Sequence, residues 1–500
     1  MLSYWLIDVL LLLVSFFIVL MWFPLSTRIP FQKYWAFALI FSAVWLFSGY
    51  AAHRYVKIKY MRIGVSIVRL LAASVLTFVV MWVGMTWLAA GRNYSIWVLL
   101  TIWLVMLASS IVFMVLFHAY HYALNVEPEI ERAPERGRQS VLKQPVFYEG
   151  EQRDNIARTI SENTSAKVLA YLEKHIALYS SNTYILRTAE FFNIQKIKYY
   201  RFDTVLNLMP LNQVRGINKM FGMVNDKLPD DGLFVCCFEP QSVYKRNIFR
   251  HYPPVINFFV YTAVFLYKRV LPKLFMTSRL YYDITEGKNR VLSLAEVLGR
   301  LCYCGFEILD HHKIGDNVYV IAQRSFRPQT LQRRLYGIFV SLDRVGKGGR
   351  LFKVYKFRTM HPYAEYLQEY IYKTYHLQEG GKFNHDIRVT TIGGFMRRCW
   401  IDEWPMFLNL LKGDIKLVGV RPISRQYYSL YSPALQEKRT HHTPGLLPPF
   451  YADMPKTLPE IEDSEMRYLT SCEQKTTLLT DFLYFWKIIY TIIFRHARSH

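Results

Sequence analysis

Four long apolar stretches stand at the beginning of this chain, and they constrain its fold more than any other feature. They cover residues 4–23, 35–52, 70–90 and 96–117. Each stretch reaches the roughly 20 residues that cross a hydrocarbon core of about 30 Å. A cleaved signal peptide has a shorter apolar region, of about 7–15 residues, behind a charged start. The pattern therefore predicts a transmembrane domain with four helices in residues 1–123.

One charged residue, Asp8, interrupts the first stretch about one turn from its beginning. A carboxylate at this depth can reach the headgroup region, as long polar side chains near membrane surfaces do. The alternative is a functional charge inside the membrane. The interfacial position is the expectation from sequence.

The distribution of positive charge predicts how these stretches are oriented. The loop between the second and third stretches carries five Lys or Arg, and the segment from residue 118 to 143 carries four. The loop between the third and fourth stretches holds only Arg92. Because Lys and Arg are enriched in cytoplasmic loops, both termini are expected on the cytoplasmic side of the membrane.

The overall composition narrows the class of protein. Of 500 residues, 52% are hydrophobic and 16% are aromatic, which excludes a disordered chain. The six Cys are too few to staple a secreted scaffold, and no C-x-x-C pair indicates a zinc or redox site. The net charge of +23 suits nucleic acid or an anionic membrane surface. Because the chain is predicted to sit in a lipid bilayer, we expect anionic lipid or a phosphate substrate as partner, and no nucleic acid.

A soluble part begins after a polar, Pro-containing linker at residues 124–155. Residues 156–325 alternate between helical and strand-like patterns, and a hairpin signal, K-I-G-D, joins the last two strand runs. We expect a Rossmann-like α/β middle domain, and part of it resembles the C-terminal half of a class I methyltransferase. No Gly occurs between Asn155 and Asn207, where a Gly-rich cofactor-binding turn belongs. The domain is therefore predicted to be degenerate and to bind no cofactor.

Two further apolar segments are too short or too polar to be assigned as membrane spans. Residues 253–267 contain no charge, and Lys268 and Arg269 follow them. This segment is either a buried helix or an interfacial helix. Residues 478–494 have helical spacing with Asp481 and Lys487 interspersed, which predicts an amphipathic packing or interfacial helix.

Basic residues accumulate between residues 324 and 358, with ten Lys or Arg and one acid, Asp343. The end of this segment reads R-V-G-K-G-G-R-L-F-K-V-Y-K-F-R-T-M, a Gly turn followed by alternating apolar and basic residues. This pattern predicts a β-hairpin that presents cations from a strand.

Two adjacent carboxylates, Asp402 and Glu403, follow Arg397 and Arg398. On a helix such neighbours point about 100° apart, so both can border one cleft. A carboxylate can attack phosphorus once cations neutralise the charge of the target. Its neighbour can hold a divalent cation. The alternative is that both charges complement the dipole at a helix N-terminus.

The order of several sequence motifs points to a known family. They read F-K-V-Y-K-F-R-T-M, then D-I-R-V-T-T-I-G-G-F-M-R-R, then I-D-E-W-P-M-F-L-N-L-L-K-G-D-I-K-L-V-G-V-R-P. Together they closely resemble the bacterial sugar transferases, the polyprenyl-phosphate sugar-1-phosphate transferases also called monotopic phosphoglycosyl transferases. The likeness runs from Asp343 to Tyr431 and continues weakly to Phe494. The four N-terminal spans and the Rossmann-like domain are similar to the long-form members.

The resemblance implies a two-step transfer in a mainly helical α+β catalytic domain at residues 326–500. In the family, the Asp that corresponds to Asp402 attacks a UDP-sugar and expels UMP, leaving a covalent aspartyl-phosphosugar intermediate. The sugar-1-phosphate then passes to undecaprenyl phosphate. Glu403 corresponds to the residue tied to the required Mg²⁺. The remaining family positions fall on Lys356, Arg358, Arg388 and Arg421, as phosphate-binding residues, and on Asp386 and Pro422.

This resemblance also implies a cellular setting. The protein would lie in the bacterial inner membrane with its catalytic domain on the cytoplasmic side, and would initiate exopolysaccharide, capsule or O-antigen-type glycan assembly. Homo-oligomer formation stays open.

Several positions depart from the family pattern. Val420 replaces the first Pro of a P-R-P motif, Trp400 and Ile401 replace Ser-Leu before the carboxylates, and the pocket segment at residues 445–455 differs. The long re-entrant hydrophobic helix expected before the hairpin is missing. The alternative function is therefore a catalytically degenerate membrane scaffold or regulator of polysaccharide assembly, and a methyltransferase is a more distant one.

Overall fold

The computed structural model divides the chain into two compact units, residues 1–126 and 127–500. It describes residues 4–22, 30–55, 63–87, 96–124, 135–141, 144–328, 337–375, 386–455 and 457–495. Several sequence predictions fall partly outside these residues, namely the first part of the linker, most of the charged loops between the apolar stretches, and the segment at 329–336.

The first unit consists of long apolar helices. They are α1 (Tyr4–Trp22), α2 (Pro30–Ala51), α3 (Ile63–Trp87) and α4 (Ile96–Leu124). Helix α1 packs against α2 and α4, and α3 packs against the same two. Aromatic rings fill the shared core, where Phe16 meets Phe41 edge to face and Phe41 stacks on Trp45. The last three of these helices contain stretches that are long and apolar enough to cross a membrane, and α1 contributes a shorter apolar stretch, Trp5–Val19.

Asp8 lies inside this unit, where its carboxylate has partners that the first apolar stretch alone did not reveal. Its side chain is buried, and Arg54 donates a hydrogen bond to it at 2.8 Å. Tyr55 and the indole of Trp45 donate to the second carboxylate oxygen at 2.9 and 3.4 Å. The sequence prediction considered only the depth of Asp8 in its own helix, whereas the end of α2 brings a cation to it.

We expect Asp8→Asn to destabilise the membrane unit by about 3–5 kcal/mol, because it leaves the buried Arg54 without its carboxylate. Thermal unfolding in detergent measures the effect. The double variant Asp8→Asn/Arg54→Gln is the control and should recover part of the loss. A single variant as stable as the parent would show that the ion pair contributes nothing to helix packing.

The second unit begins with a mixed α/β region. Its elements are α5 (Glu151–Asn163), α6 (Ala166–His175), β1 (Thr183–Leu186), α7 (Phe191–Gln195), β2 (Thr204–Pro210), α8 (Ile217–Lys227), β3 (Leu233–Phe238), α9 (Gln241–His251), α10 (Ile256–Phe265), α11 (Phe275–Thr285), α12 (Leu294–Tyr303), β4 (Phe306–Ile314) and β5 (Asn317–Arg324). The strands form one sheet in the order β1-β2-β3-β5-β4. The first three strands are parallel. The K-I-G-D turn joins β4 and β5 in the predicted hairpin, and β5 pairs antiparallel with β3.

Apolar side chains cover both faces of this sheet. On one face, Leu172 of α6 joins a core with Leu206 and Val235. On the other, the ring of Phe234 packs between those of Phe221 and Phe306. Burial on both faces explains why the strands are continuous apolar runs.

The described part of the predicted linker packs against this sheet. Arg324 at the end of β5 is fully buried, and its guanidinium pairs with Glu135 at 2.9 Å and with Asp230. Asp230 also accepts hydrogen bonds from the backbone N–H groups of Gly137 and Arg138. The described residues from 135 onward therefore belong structurally to the sheet region.

Helices α9 to α11 form an insertion between β3 and β4. No residue of α10 is buried, so the buried-helix alternative for residues 253–267 is wrong. A π-helical turn, Leu266–Val270, follows α10 and directs Arg269 inward. The guanidinium of Arg269 lies 3.3 Å from the carboxylate of Glu296 on α12.

The C-terminal region is built from short elements. They are β6 (Phe339–Val345), β7 (Leu351–Phe357), α13 (Gln368–Tyr375), α14 (Thr391–Arg398), α15 (Phe407–Lys412), β8 (Lys416–Val418), α16 (Arg425–Tyr428), α17 (Pro433–His441), β9 (Gly445–Leu447), α18 (Phe450–Asp453), α19 (Leu458–Gln474) and α20 (Thr477–Phe494). Strands β6 and β7 form the predicted hairpin, and β8 pairs with β9 in parallel.

Helix α20 is long and apolar enough to cross a membrane by length and composition. In this structure one side of it packs on the C-terminal region, where Ile488 is buried with Tyr468 of α19. Asp481 of α20 pairs with Lys416 at 2.8 Å and accepts a hydrogen bond from Tyr468 at 2.5 Å. These contacts agree with the packing alternative of the predicted amphipathic packing or interfacial helix.

Candidate active site

The centre of the candidate site is an ion pair between the hairpin and the carboxylate pair. Lys356, near the end of β7, donates a hydrogen bond from Nζ to Oε1 of Glu403 at 2.7 Å. Alternation along β7 places Lys356 on the face opposite Lys353 and Tyr355. The predicted basic strand therefore presents at least one cation directly to the carboxylates.

Asp402 and Glu403 lie on a short 3-10 helix, Ile401–Met406, rather than on an α-helix. Trp400 precedes this turn with a left-handed backbone, at φ 60°. The sharp entry turns both carboxylates inward, and Asp402 and Glu403 are only 5% and 7% exposed. Neither is a solvated charge, and both lie in the first turn of this 3-10 helix, where the helix dipole also favours them.

Asp402 is a buried carboxylate with charged neighbours. Its Oδ1 is buried and accepts no hydrogen bond within the part of the chain that the structure describes. Burial raises the pKa of Asp402, and the neighbouring charge of Glu403 raises it further, whereas Lys356 and Arg397 lower it. A desolvated carboxylate oxygen of this kind is a better nucleophile than a hydrated one.

Lys356 and Arg397 lie close enough to Asp402 to influence its charge, and Arg421 influences both of these cations. Burial lowers the pKa of Lys356, Glu403 opposes this shift, and Arg421 adds to it. Burial also lowers the pKa of Arg397, while Asp402 raises it. Arg397 is held by a hydrogen bond from Nε to the hydroxyl of Thr359 at 3.0 Å. The cations are fixed before any substrate arrives, which is the condition for strong stabilisation of a developing negative charge.

The other predicted site residues occupy supporting positions. Arg388 forms a two-pronged pair with Asp386, with its nearest contact at 2.7 Å, and also donates to Gln368. Arg358 donates from Nε to the carbonyl of Gly337 at 3.0 Å. These bonds direct both guanidinium groups toward the protein in this structure.

Arg421 and Pro422 lie on the segment that follows β8. The guanidinium of Arg421 lies over the ring of Phe450, 5.6 Å from its centroid. The carbonyl of Ile423, which follows Pro422, accepts a hydrogen bond from the backbone N–H of Val345 at 2.9 Å. This bond joins the segment to β6. Val420, in place of the family Pro, is buried.

Sequence reasoning did not assign roles to Arg397 and Arg344. Burial lowers the pKa of Arg344 on β6 to about 10, and the charge of Arg421 adds to this shift. The R-R pair before the carboxylates was a visible signal for Arg397, since it stands only five positions before Asp402. Arg344 gave no comparable signal, because it was one of ten cations in a basic segment.

A close backbone approach fixes Arg397. A Cβ atom at Gly393 would lie 2.0 Å from the carbonyl oxygen of Thr359, whereas one at Gly394 would meet no atom within 4 Å. Thr390 caps α14 by accepting a hydrogen bond from the backbone of Gly393 at 2.8 Å. Helix α14 therefore lies directly against the residues that follow β7.

We expect Gly393→Ala to destabilise the fold by roughly 1–3 kcal/mol, since backbone must move to admit the methyl group. The displacement should also lower activity by moving Arg397. Gly394→Ala is a matched control on the same helix and should be neutral or stabilising by up to about 1 kcal/mol. Thermal unfolding of both variants in detergent tests this, and equal midpoints would contradict the close packing of α14.

The carboxylates fit a Mg²⁺ site of limited extent. Among the described residues no group of three or more His, Cys, Asp or Glu could hold a metal ion. Mg²⁺ commonly takes only one or two carboxylates and completes its shell with water and substrate phosphates. Asp402 and Glu403 supply two adjacent carboxylates, and Oδ1 of Asp402 has no partner among the described residues, so the pair suffices for such a partial shell.

Comparison with known proteins identifies this region. Residues 330–495 match the family model described as bacterial sugar transferase. A galactosyl transferase, CpsE, of Streptococcus agalactiae serotype III (strain NEM316) is 42% identical over 109 residues, 21% of this chain and 24% of that protein.

Two further relatives carry more explicit names. The UDP-N-acetylgalactosamine-undecaprenyl-phosphate N-acetylgalactosaminephosphotransferase of Aeromonas hydrophila is 42% identical over 87 residues, 17% of this chain and 18% of that protein. A putative undecaprenyl-phosphate N-acetylgalactosaminyl 1-phosphate transferase of Bacillus subtilis (strain 168) is 39% identical over 105 residues, 21% of this chain and 48% of that protein. The chain thus spans less than half the length of these relatives. Residues 330–495 of this chain are thus similar to the bacterial sugar transferase family.

Proposed function

We propose that this protein is an undecaprenyl-phosphate sugar phosphotransferase that moves a sugar-1-phosphate from a UDP-sugar to undecaprenyl phosphate and releases UMP. The observation that carries the proposal is the buried Asp402, whose Oδ1 is unpartnered among described residues, beside the Lys356–Glu403 pair. Relatives named for undecaprenyl-phosphate and UDP-N-acetylgalactosamine support both substrates.

In the proposed first step, a carboxylate oxygen of Asp402 attacks the phosphorus that carries the sugar. A bond forms between that oxygen and phosphorus, the bond to the UMP oxygen breaks, and UMP leaves with the electron pair. Asp402 then holds the sugar-1-phosphate as an acyl phosphate. Lys356, Arg397 and Arg421 stabilise the negative charge that builds on the phosphoryl oxygens.

In the second step, a phosphate oxygen of undecaprenyl phosphate attacks the same phosphorus. The bond to Asp402 breaks, and the carboxylate is regenerated as the diphosphate-linked lipid leaves. Splitting the transfer in this way lets one set of cations serve two anionic substrates in turn.

Glu403 would hold Mg²⁺ together with substrate phosphates, and the metal would supply Lewis acidity toward the phosphate oxygens. The chain's own contribution is orientation, because Lys356 fixes one oxygen of Glu403 at 2.7 Å. In this proposal Asp386 and Arg388 support α14. Arg358 binds a substrate phosphate after it leaves the carbonyl of Gly337.

The proposal also covers the cellular setting. The catalytic region, assigned to residues 326–500, would act on the cytoplasmic side of a bacterial inner membrane, where nucleotide sugars are made. The four N-terminal helices in residues 1–123 would be transmembrane, and the sheet region in residues 156–325 would be a degenerate Rossmann-like domain. The product would start exopolysaccharide, capsule or O-antigen-type assembly.

UMP release tests this function directly. The full chain in detergent or nanodiscs is mixed with undecaprenyl phosphate, Mg²⁺ and one of several UDP-sugars, including UDP-galactose and UDP-N-acetylgalactosamine. We expect release with at least one sugar and only in the presence of enzyme. No release with any UDP-sugar, from a protein that is folded and membrane-inserted, would favour the scaffold or regulator function instead.

A further inference from the structure

Helix α10 of the sheet region is an apolar helix that the structure leaves uncovered. None of its residues is buried, and Phe258 and Phe259 are 59% and 66% exposed. Val255 before the helix and Leu266 after it are exposed as well. A helix with this composition is normally buried in a protein core or in lipid.

The chain segment that contains α10 carries cations and no acids between Glu239 and Asp283. Residues 240–282 include seven Lys or Arg and not one Asp or Glu. Arg246 pairs with Asp316, and both Arg269 and Lys273 pair with Glu296. The remaining four are Lys245, Arg250, Lys268 and Arg279.

Two of these four cations lie over aromatic rings. Lys245 is exposed, and its Nζ lies over the rings of Phe249 and Tyr261, at 5.5 and 6.0 Å from their centroids. Lys268 lies over the ring of Tyr244 at 5.4 Å. An apolar helix flanked by cations that lie over aromatic rings suits the interface of an anionic bilayer. There the rings contact acyl chains and the cations reach the headgroups.

We infer that α10 is an interfacial membrane anchor carried by the sheet region. A protein partner fits less well, because Lys is depleted from protein interfaces and the segment offers no acid for complementary pairing. A bilayer is also the surface that this chain reaches in any case, since its first unit contains helices long and apolar enough to cross one. The inference does not depend on the proposed enzymatic activity.

The anchor is tied to the candidate active site through Arg269. Its NH2 group donates a hydrogen bond to Nδ1 of His361 at 3.0 Å. Burial and the charge of Arg269 lower the pKa of His361 to about 3, so the ring is neutral and can accept this bond. The backbone N–H of His361 donates to the carbonyl of Arg388 at 2.8 Å. A helix held at the headgroup level would thereby hold the strand that carries Lys356 near the membrane surface.

Photocrosslinking tests the anchor in the full chain. Benzoylphenylalanine replaces Phe259 in protein reconstituted into nanodiscs of phosphatidylethanolamine and phosphatidylglycerol, and mass spectrometry identifies adducts after irradiation. The control replaces Phe192, which lies on α7 of the same region and is 60% exposed. We expect phospholipid adducts at position 259 and none at position 192. Phe258→Glu, at a position 59% exposed, should abolish most of the adduct formed at 259.

Three results would overturn the inference. They are the absence of lipid adducts at 259, lipid adducts in equal yield at 192, and crosslinks from 259 to a second copy of the chain. The last result would identify the helix as a protein interface instead.

Discussion

Asp402→Asn should lower UMP release by at least about 10⁴-fold, because removing a nucleophile costs more than removing any single stabilising contact. The amide keeps the shape of the side chain but cannot form the acyl phosphate. Because the variant cannot be phosphorylated, it should also fail to retain labelled sugar-phosphate after mixing with UDP-sugar. Initial rates of UMP release and covalent labelling of the protein measure the two effects.

The same variant should fold at least as well as the parent. Burial raises the pKa of Asp402, so its ionisation at neutral pH costs folding free energy. This cost is absent below the ordinary pKa of an Asp and is fully present above the raised one. An uncharged Asn avoids the cost, so the thermal midpoint should stay or rise at pH 7. Asp463→Asn, at an exposed position on α19, is the control. Near-parental UMP release by Asp402→Asn would refute the proposed mechanism.

Local sequence signals predicted much of this fold. The K-I-G-D turn and the Gly turn before F-K-V-Y-K-F-R marked two hairpins, since each determines the strands on both sides of it. The apolar stretches marked the N-terminal helices to within seven residues at either end. Such signals depend on neighbouring residues, which a sequence displays directly.

Contacts between distant residues were harder to predict. Asp8 meets Arg54 across 46 positions, and the first apolar stretch alone did not reveal this pairing. Residues 253–267 showed the composition of both a core helix and an interfacial helix. Only the three-dimensional arrangement revealed that α10 is uncovered.

The candidate site shows the same division. The adjacency of Asp402 and Glu403 was visible in the sequence, and the partner of Glu403 proved to be a residue singled out beforehand, Lys356. The family motifs could not reveal which cations already form ion pairs within the protein. Arg388 is paired with Asp386 in this structure, whereas Arg397, which was given no role, reaches Asp402 electrostatically.

Lys356→Gln should reduce turnover by roughly 10²–10³-fold, the usual loss when a fixed positive group near a reacting phosphate is removed. It should also change the pH dependence. Asp402 must be ionised to attack, so the rate falls as the pH drops through its pKa. Because Lys356 lowers that pKa, its removal should move the acid limb of the pH–rate profile to higher pH. Glu403→Gln should move the limb the opposite way, because Glu403 raises the pKa of Asp402.

The measurement is kcat/KM for UMP release across a pH series at saturating Mg²⁺. Lys353→Gln is the matched control, because Lys353 lies on the same strand but on its other face. It should leave the position of the acid limb unchanged. Opposite shifts in the Lys356 and Glu403 variants would show that one titrating group, Asp402, responds to both neighbours. Shifts in the same direction would mean that the limb reports another group, and Asp402 would then lose its place as the titrating nucleophile.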